Sequence, residues 1–158
     1  MTAPTPALRR SVAEQRKLEA ALTELFERLL SFNQILGLKV LRLGPGGPQL
    51  RFDMRPELVG HYQHGRLHGG VISAVLDVAG GFAIMLSIAG DAEITAAKFP
   101  NMGTIDLRVD YLRPGRGKHF IATARIVRRG SRIAVTHMEL HNDTGELIAT
   151  GGAAYVIG

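Results

Sequence analysis

The residues best suited to chemistry lie in one run, Arg66-Leu67-His68-Gly69-Gly70-Val71-Ile72-Ser73-Ala74-Val75-Leu76-Asp77-Val78-Ala79-Gly80-Gly81. A histidine and two glycines stand at the mouth of an apolar helical stretch, and Asp77 is the one Asp, Glu, Lys or Arg between Val71 and Ala89. A helix that is apolar on every side is normally buried. An ionised carboxylate in it is costly unless something pairs with it or uses it. Hydrolysis at a carbonyl calls for an attacking group and a pocket for the oxyanion that forms. Glycines at a helix start suit the pocket, because the first N–H groups of a helix have no partner within it and the missing Cβ lets a carbonyl approach. Asp77 suits the attack, as general base on water or as nucleophile. His68 is placed to orient a substrate or to cap the helix. Asp77 lies nine residues beyond His68, roughly 13 Å along a helix. The carboxylate of one chain therefore does not reach a carbonyl held at its own Gly69.

The elements that must position these residues follow from hydrophobic period. Ser11 with Glu14 three residues on is a capping-box pattern. Leu18, Leu22, Leu25 and Leu29 recur at helical spacing, with Glu24 and Arg28 paired on the wet side. The pattern predicts a helix from about 11 to 31, ending before Gly37. Lys39–Leu43 and the alternating Gln49–Met54 flank Gly44-Pro45-Gly46-Gly47-Pro48 as a hairpin, and a loop, Pro56–Leu67, leads to the apolar helix. After Gly90 the period becomes two. Ile105, Leu107, Val109 and Tyr111 share one face of a strand and Asp106, Arg108 and Asp110 the other. His119–Arg128, Arg132–Asn142 and Glu146–Ile157 form three further strands, joined by turns at Arg129-Gly130-Ser131 and Asp143-Thr144-Gly145. The fold class is α+β: an antiparallel sheet with one long apolar helix on its concave face. The uncovered edge and face point to a dimer that continues the sheet.

Composition narrows the classes further. The 158 residues amount to one domain, and 46% hydrophobic with 21% charged residues is an ordinary globular balance. The absence of cysteine excludes disulfides and thiolate metal sites. The net charge of +5 is scattered, without a basic block or an aromatic RNA-binding run, so nucleic acid is not the expected partner. Met1–Pro6 shows no secretory pattern, which points to the cytoplasm. Val71–Ala89 approaches membrane length, but Asp77 near its middle would cost roughly 2.5–3.5 kcal/mol in a bilayer, and Gly80-Gly81 interrupts it; a buried core helix is expected instead of a membrane span. His61, His64 and His68 share a loop without an acidic or cysteine ligand in register, so no metal and no cofactor are expected.

The organisation and the His68-Gly69-Gly70…Asp77 spacing resemble the hotdog-fold acyl-CoA thioesterases, specifically their phenylacetate-degradation (PaaI-like) branch. Thr104-Ile105-Asp106-Leu107-Arg108-Val109-Asp110-Tyr111-Leu112-Arg113-Pro114 looks like the family's next strand with its terminal Tyr-x-x-Pro. The similarity covers about residues 35–157, dividing the chain into a tail and amphipathic helix at 1–34 and a hotdog thioesterase-like domain at 35–158. It implies an antiparallel sheet wrapped around one long central helix, here with an extra N-terminal helix. It also implies an acyl-CoA substrate split into free acid and coenzyme A, in a homodimer or tetramer whose sites lie at the subunit interface. Asp77 would then come from the neighbouring subunit. The Gly69 N–H would be the main oxyanion donor with Gly70 beside it, His68 would orient the thioester, and Thr104 would help orient the water. Relatives often carry an Asn six or seven residues before the histidine; Tyr62 and His61 stand there instead and are the candidates for positioning the carbonyl. Arg113, Arg128 and Arg129 lie in basic turns suited to coenzyme A phosphates, and the acyl group would lie near Phe82 and the Leu58–Val59 loop. Two alternatives remain. One is a non-catalytic acyl-CoA or lipid binder, motivated by the missing Asn. The other is an enoyl-thioester hydratase, whose known members place an Asp ahead of the His, the reverse of the order here.

Overall fold

The computed structural model describes residues 10–44, 46–91 and 101–158. Its elements in chain order are α1 (Val12–Glu24), α2 (Ser31–Leu36), β1 (Lys39–Arg42), β2 (Gln49–Asp53), β3 (Val59–His61), β4 (Arg66–Leu67), α3 (Gly69–Asp91), β5 (Gly103–Tyr111), β6 (His119–Arg129), β7 (Ile133–Asn142) and β8 (Leu147–Val156). Six strands form one sheet in the order β1-β2-β6-β7-β8-β5, every neighbouring pair antiparallel, and β3 and β4 form a separate ribbon. The alternation in the strands sends Leu50, Phe52, Phe120, Ala122, Met138, Leu140 and Tyr155 inward, where they bury Ile72, Val75, Leu76, Ala79 and Ala83 of α3. Gly69–Ala89 is long and apolar enough to cross a membrane, with a mean hydropathy of 2.1, yet half of it is buried against the rest of the chain. It is the core helix around which the sheet curves.

The N-terminal helix begins at the expected capping box. Glu14 N–H donates to Ser11 Oγ, and Ser11 N–H donates to Glu14 Oε2 at 2.7 Å, bonds that hold the Glu14 carboxyl below its ordinary range. The helix does not run unbroken to 31. Leu25–Leu29 form a wide turn closed by Leu30 N–H on Leu25 O at 3.1 Å, and α2 follows and stops at the left-handed Gly37. The extra residue in the wide turn rotates the buried face. Leu22 and Phe26 are enclosed, while Leu29, expected on the same stripe, is 66% exposed. Phe26 stacks on Phe82 of α3 with ring centroids 3.6 Å apart. Glu27 Oε1 accepts the Val40 N–H at 2.8 Å. The N-terminal helices thus cover a flank of α3 and cap the β1 edge of the sheet, and among the described residues β5 is the other edge strand, with no strand paired on its outer side.

On β5 a bulge between Thr104 and Asp106 inserts Ile105 as an extra residue against β8. A bulge re-aims the side chain it carries. Ile105, expected inside, is exposed, as is Tyr111, whereas Leu107 and Val109 pack against the core.

Candidate active site

The first half of the site is the start of α3. His68 N–H donates to Leu58 O at 2.8 Å, and the His68 carbonyl accepts Val71 N–H at 3.0 Å, making His68 the residue that caps the helix. Its side chain caps too: Gly70 N–H donates to His68 Nδ1 at 2.9 Å. The expectation that both glycine N–H groups stand free is therefore corrected, because the imidazole takes that of Gly70. Gly69 N–H has no intrahelical acceptor and meets none among the described residues. The Tyr111 hydroxyl donates to Gly69 O at 3.1 Å and steadies this first turn. Gly69 borders an open cleft of about 380 Å³ shared with Arg66, Ile72, Tyr111 and Arg113. Beneath His68 runs Gly60, where an added Cβ would lie 2.5 Å from His68 Cα, so the β3 segment passes here only as glycine.

The second half is Asp77, two turns further along α3. It is half-buried, on a helix face shared with the likewise half-buried Ala74, Val78 and Gly81, and this face lies toward β5 and β8. The Thr104 hydroxyl donates to Asp77 Oδ1 at 2.9 Å. The Tyr155 hydroxyl lies 3.0 Å from both Asp77 Oδ1 and Asp77 O. Tyr155 is 2% exposed, and burial first, then the Asp77 carboxylate, push its ionisation far above the ordinary tyrosine range. Its hydroxyl is placed to donate to the carboxylate. Gly80 makes room for it: an added Cβ there would lie 2.9 Å from Thr136 Oγ1 and closer still to the Tyr155 hydroxyl. The chain thus places a free backbone N–H bordering a cleft and a half-buried, hydrogen-bonded carboxylate on one helix, about two turns apart.

A thioesterase superfamily profile matches residues 64–149, more than half of the chain and all of α3. The chain belongs to the thioesterase superfamily. Thioester hydrolysis is therefore its chemistry. It is 41% identical over 140 residues to the medium/long-chain acyl-CoA thioesterase YigI of Escherichia coli (strain K12), spanning 85% of this chain and 90% of that one. The YigI protein of Salmonella typhimurium is 42% identical over the same shares. Among solved structures, a Shewanella oneidensis protein related to the thioesterase superfamily superposes with a TM-score of 0.83 at 38% identity, covering 94% of this chain and 100% of that one. A mutant of the phenylacetic acid degradation protein PaaI from Thermus thermophilus gives 0.66 at 28% identity, over 81% and 99%. The hotdog architecture, with its sheet around one helix, is common to them.

Within this thioesterase the other expected residues are placed unevenly. His61 and Tyr62 lie at the β3–β4 turn; the His61 ring stacks on His64 with centroids 4.5 Å apart, its Nδ1 is enclosed without a partner, and Tyr62 is 87% exposed. Arg113 reaches the cleft at Gly69 but is already engaged, donating to Leu147 O at 2.9 Å and pairing with Glu146 at 3.3 Å. Arg128 and Arg129 lie at the far end of α3, where Arg129 Nη1 meets Ser87 Oγ at 2.5 Å. One chain therefore does not gather the three arginines around one phosphate group. Phe82, expected beside the acyl group, is instead fully buried under Phe26. A core position for it follows from the wide turn that carries Phe26 inward.

Reading the sequence missed Tyr155, Gly80 and Gly60. Gly80 was visible as an interruption of the helix, and its partner explains it. Tyr155 sits on the inward side of an alternating strand, where an aromatic residue passes for plain core.

Proposed function

We propose that the chain acts as a cytoplasmic, homo-oligomeric acyl-CoA thioesterase of the PaaI-like branch, with medium- or long-chain acyl groups as substrates. The observation that carries this reading is the half-buried face of α3 around Asp77, next to β5, an edge strand among the described residues. A second copy docking there would bring its own Gly69 to Asp77 and bury Ala74, Val78 and Gly81. The named relatives act on medium- and long-chain acyl-CoA, and their close match to this chain supports the substrate class.

The chemistry follows from the two halves. The thioester carbonyl oxygen takes the Gly69 N–H, at the positive end of the α3 dipole, where negative charge develops during attack. As general base, Asp77 removes a proton from water, the hydroxide oxygen bonds to the carbonyl carbon, and collapse breaks the C–S bond. The thiolate leaves and takes the proton as coenzyme A thiol. As nucleophile, Asp77 would first form a mixed anhydride that water then opens; both routes use the same carboxylate and the same donor. His68 is exposed, and with Nδ1 accepting the Gly70 N–H its other ring nitrogen is the one left to donate to the substrate.

The test is thiol release from short, medium, long and aromatic acyl-CoAs by the intact protein. Release that is fastest with medium or long chains supports the reading. No release from any of them, with folding and dimerisation confirmed, would overturn it in favour of an acyl-ligand binder.

A further inference from the structure

The two oxygens of Asp77 are treated differently by the fold. Oδ1 lies 2.9 Å from the Thr104 hydroxyl and 3.0 Å from that of Tyr155. Oδ2 receives no hydrogen bond from the described residues and is not among their enclosed, unpartnered atoms. The Tyr155 hydroxyl has one proton, the Asp77 carboxylate and the Asp77 carbonyl both lie 3.0 Å from it, and the Thr136 hydroxyl and the Gly81 N–H also meet it. The ionised oxygen is the stronger acceptor.

We propose that Tyr155 is a positioning residue whose hydroxyl, with that of Thr104, occupies Asp77 Oδ1 and leaves Oδ2 as the oxygen that works on the thioester. This rests on the acyl-CoA thioesterase reading above. The two hydroxyls divide the task. Thr104 stands on the exposed β5 edge strand, where a docking partner would meet it, whereas Tyr155 is enclosed within its own subunit. The buried donor thus fixes the carboxylate before any partner or substrate arrives. Gly80 is part of the device, because a methyl group there would strike the Tyr155 hydroxyl, Thr136 Oγ1 at 2.9 Å and Met138 Sδ at 3.2 Å. Pinning one oxygen also holds the carboxylate plane, so Oδ2 keeps a single direction, and a displacement of about 1 Å in such a group can cost a hundredfold in rate.

The experiment compares Tyr155→Phe, which keeps the ring, with wild type in thiol release across substrate concentrations. The expected result is a fall in kcat of about ten- to hundredfold, the worth of one hydrogen bond to a charged group, with KM changed less than about twofold. Gly80→Ala should reproduce that fall by displacing a hydroxyl that is still present, and it stands in for Tyr155→Phe if that variant does not fold. Wild-type kcat in the folded variants, or a loss confined to KM, would overturn the role of Tyr155. Asp77→Asn run alongside separates the two levels. If it is inactive while Tyr155→Phe is normal, only the Tyr155 assignment fails; if it is fully active, the thioesterase reading of the site fails and takes the assignment with it.

Discussion

Gly60→Ala is a small change, remote in sequence from Asp77, that should damage the site through packing. The added methyl would sit 2.5 Å from His68 Cα, 2.9 Å from its Cβ and 3.0 Å from its Cδ2. Carbon atoms pack at about 3.5–4.0 Å, so the β3 segment and His68 must part by about 1 Å. The nearest atom belongs to the backbone, so no flexible side chain can yield in its place. His68 is bonded to this same segment by its N–H on Leu58 O and to the helix start by its cap on Gly70, so parting the two strains both bonds, and Gly69 follows directly. Overpacking of this kind costs about 1–3 kcal/mol of stability. A 1 Å shift of an oxyanion donor costs up to about a hundredfold in rate. Urea unfolding and thiol release would measure both, with Gly46→Ala as the control because a methyl there meets open space. Wild-type stability and wild-type kcat in Gly60→Ala would refute the claim that β3 wedges the helix start into place.

Three further outcomes are expected. Asp77→Asn and Gly69→Pro are each inactive alone, proline being tolerated at a first helical position while lacking the N–H; coexpressed, they should recover about a quarter of wild-type thiol release if each site draws on two subunits of a closed dimer, whereas no recovery would place both residues in one subunit's site. Tyr155 is held neutral in the folded chain and ionises readily once unfolded. Its contribution is therefore complete below the ordinary tyrosine range and is lost as pH rises through about 10, at up to about 1.4 kcal/mol per pH unit; Tyr155→Phe should flatten that alkaline loss in urea titrations, and an unchanged slope would count against the burial of this hydroxyl. Phe26→Ala removes a ring stacked on Phe82 and should cost about 3–5 kcal/mol. A loss below about 1 kcal/mol in chemical unfolding would mean that the N-terminal helices are not part of the main core.

How far the sequence could be read differs from residue to residue. His68, Gly69 and Asp77 stand out because they break the apolar pattern around them, α3 because its apolar run is long and unbroken but for Asp77, and β5 to β8 because turn residues separate runs of strand length. The bulge at Ile105 is not visible in an alternating run, since the pattern reads the same until the strand is paired with β8. Nor is the wide turn at Leu25–Leu29, because a leucine stripe continues through it and only packing of Phe26 on Phe82 selects the shifted face. Position at the helix start marks Gly70 as a free donor, and a side-chain rotamer of His68 decides otherwise. Tyr155 lies 78 residues from Asp77, and no local rule links a strand tyrosine to a helix carboxylate at that separation. The pairing exists only once β8 lies beneath α3.

The central claim is that the Asp77 carboxylate performs thioester hydrolysis, and the most direct measurement is kcat for thiol release from a long-chain acyl-CoA by Asp77→Asn. The substitution keeps the shape and the acceptor for Thr104 and Tyr155 while removing the charge. The account predicts a fall of about a hundred- to ten-thousandfold, the usual worth of a general base, in a protein that still folds and assembles. Turnover at the wild-type rate would contradict it.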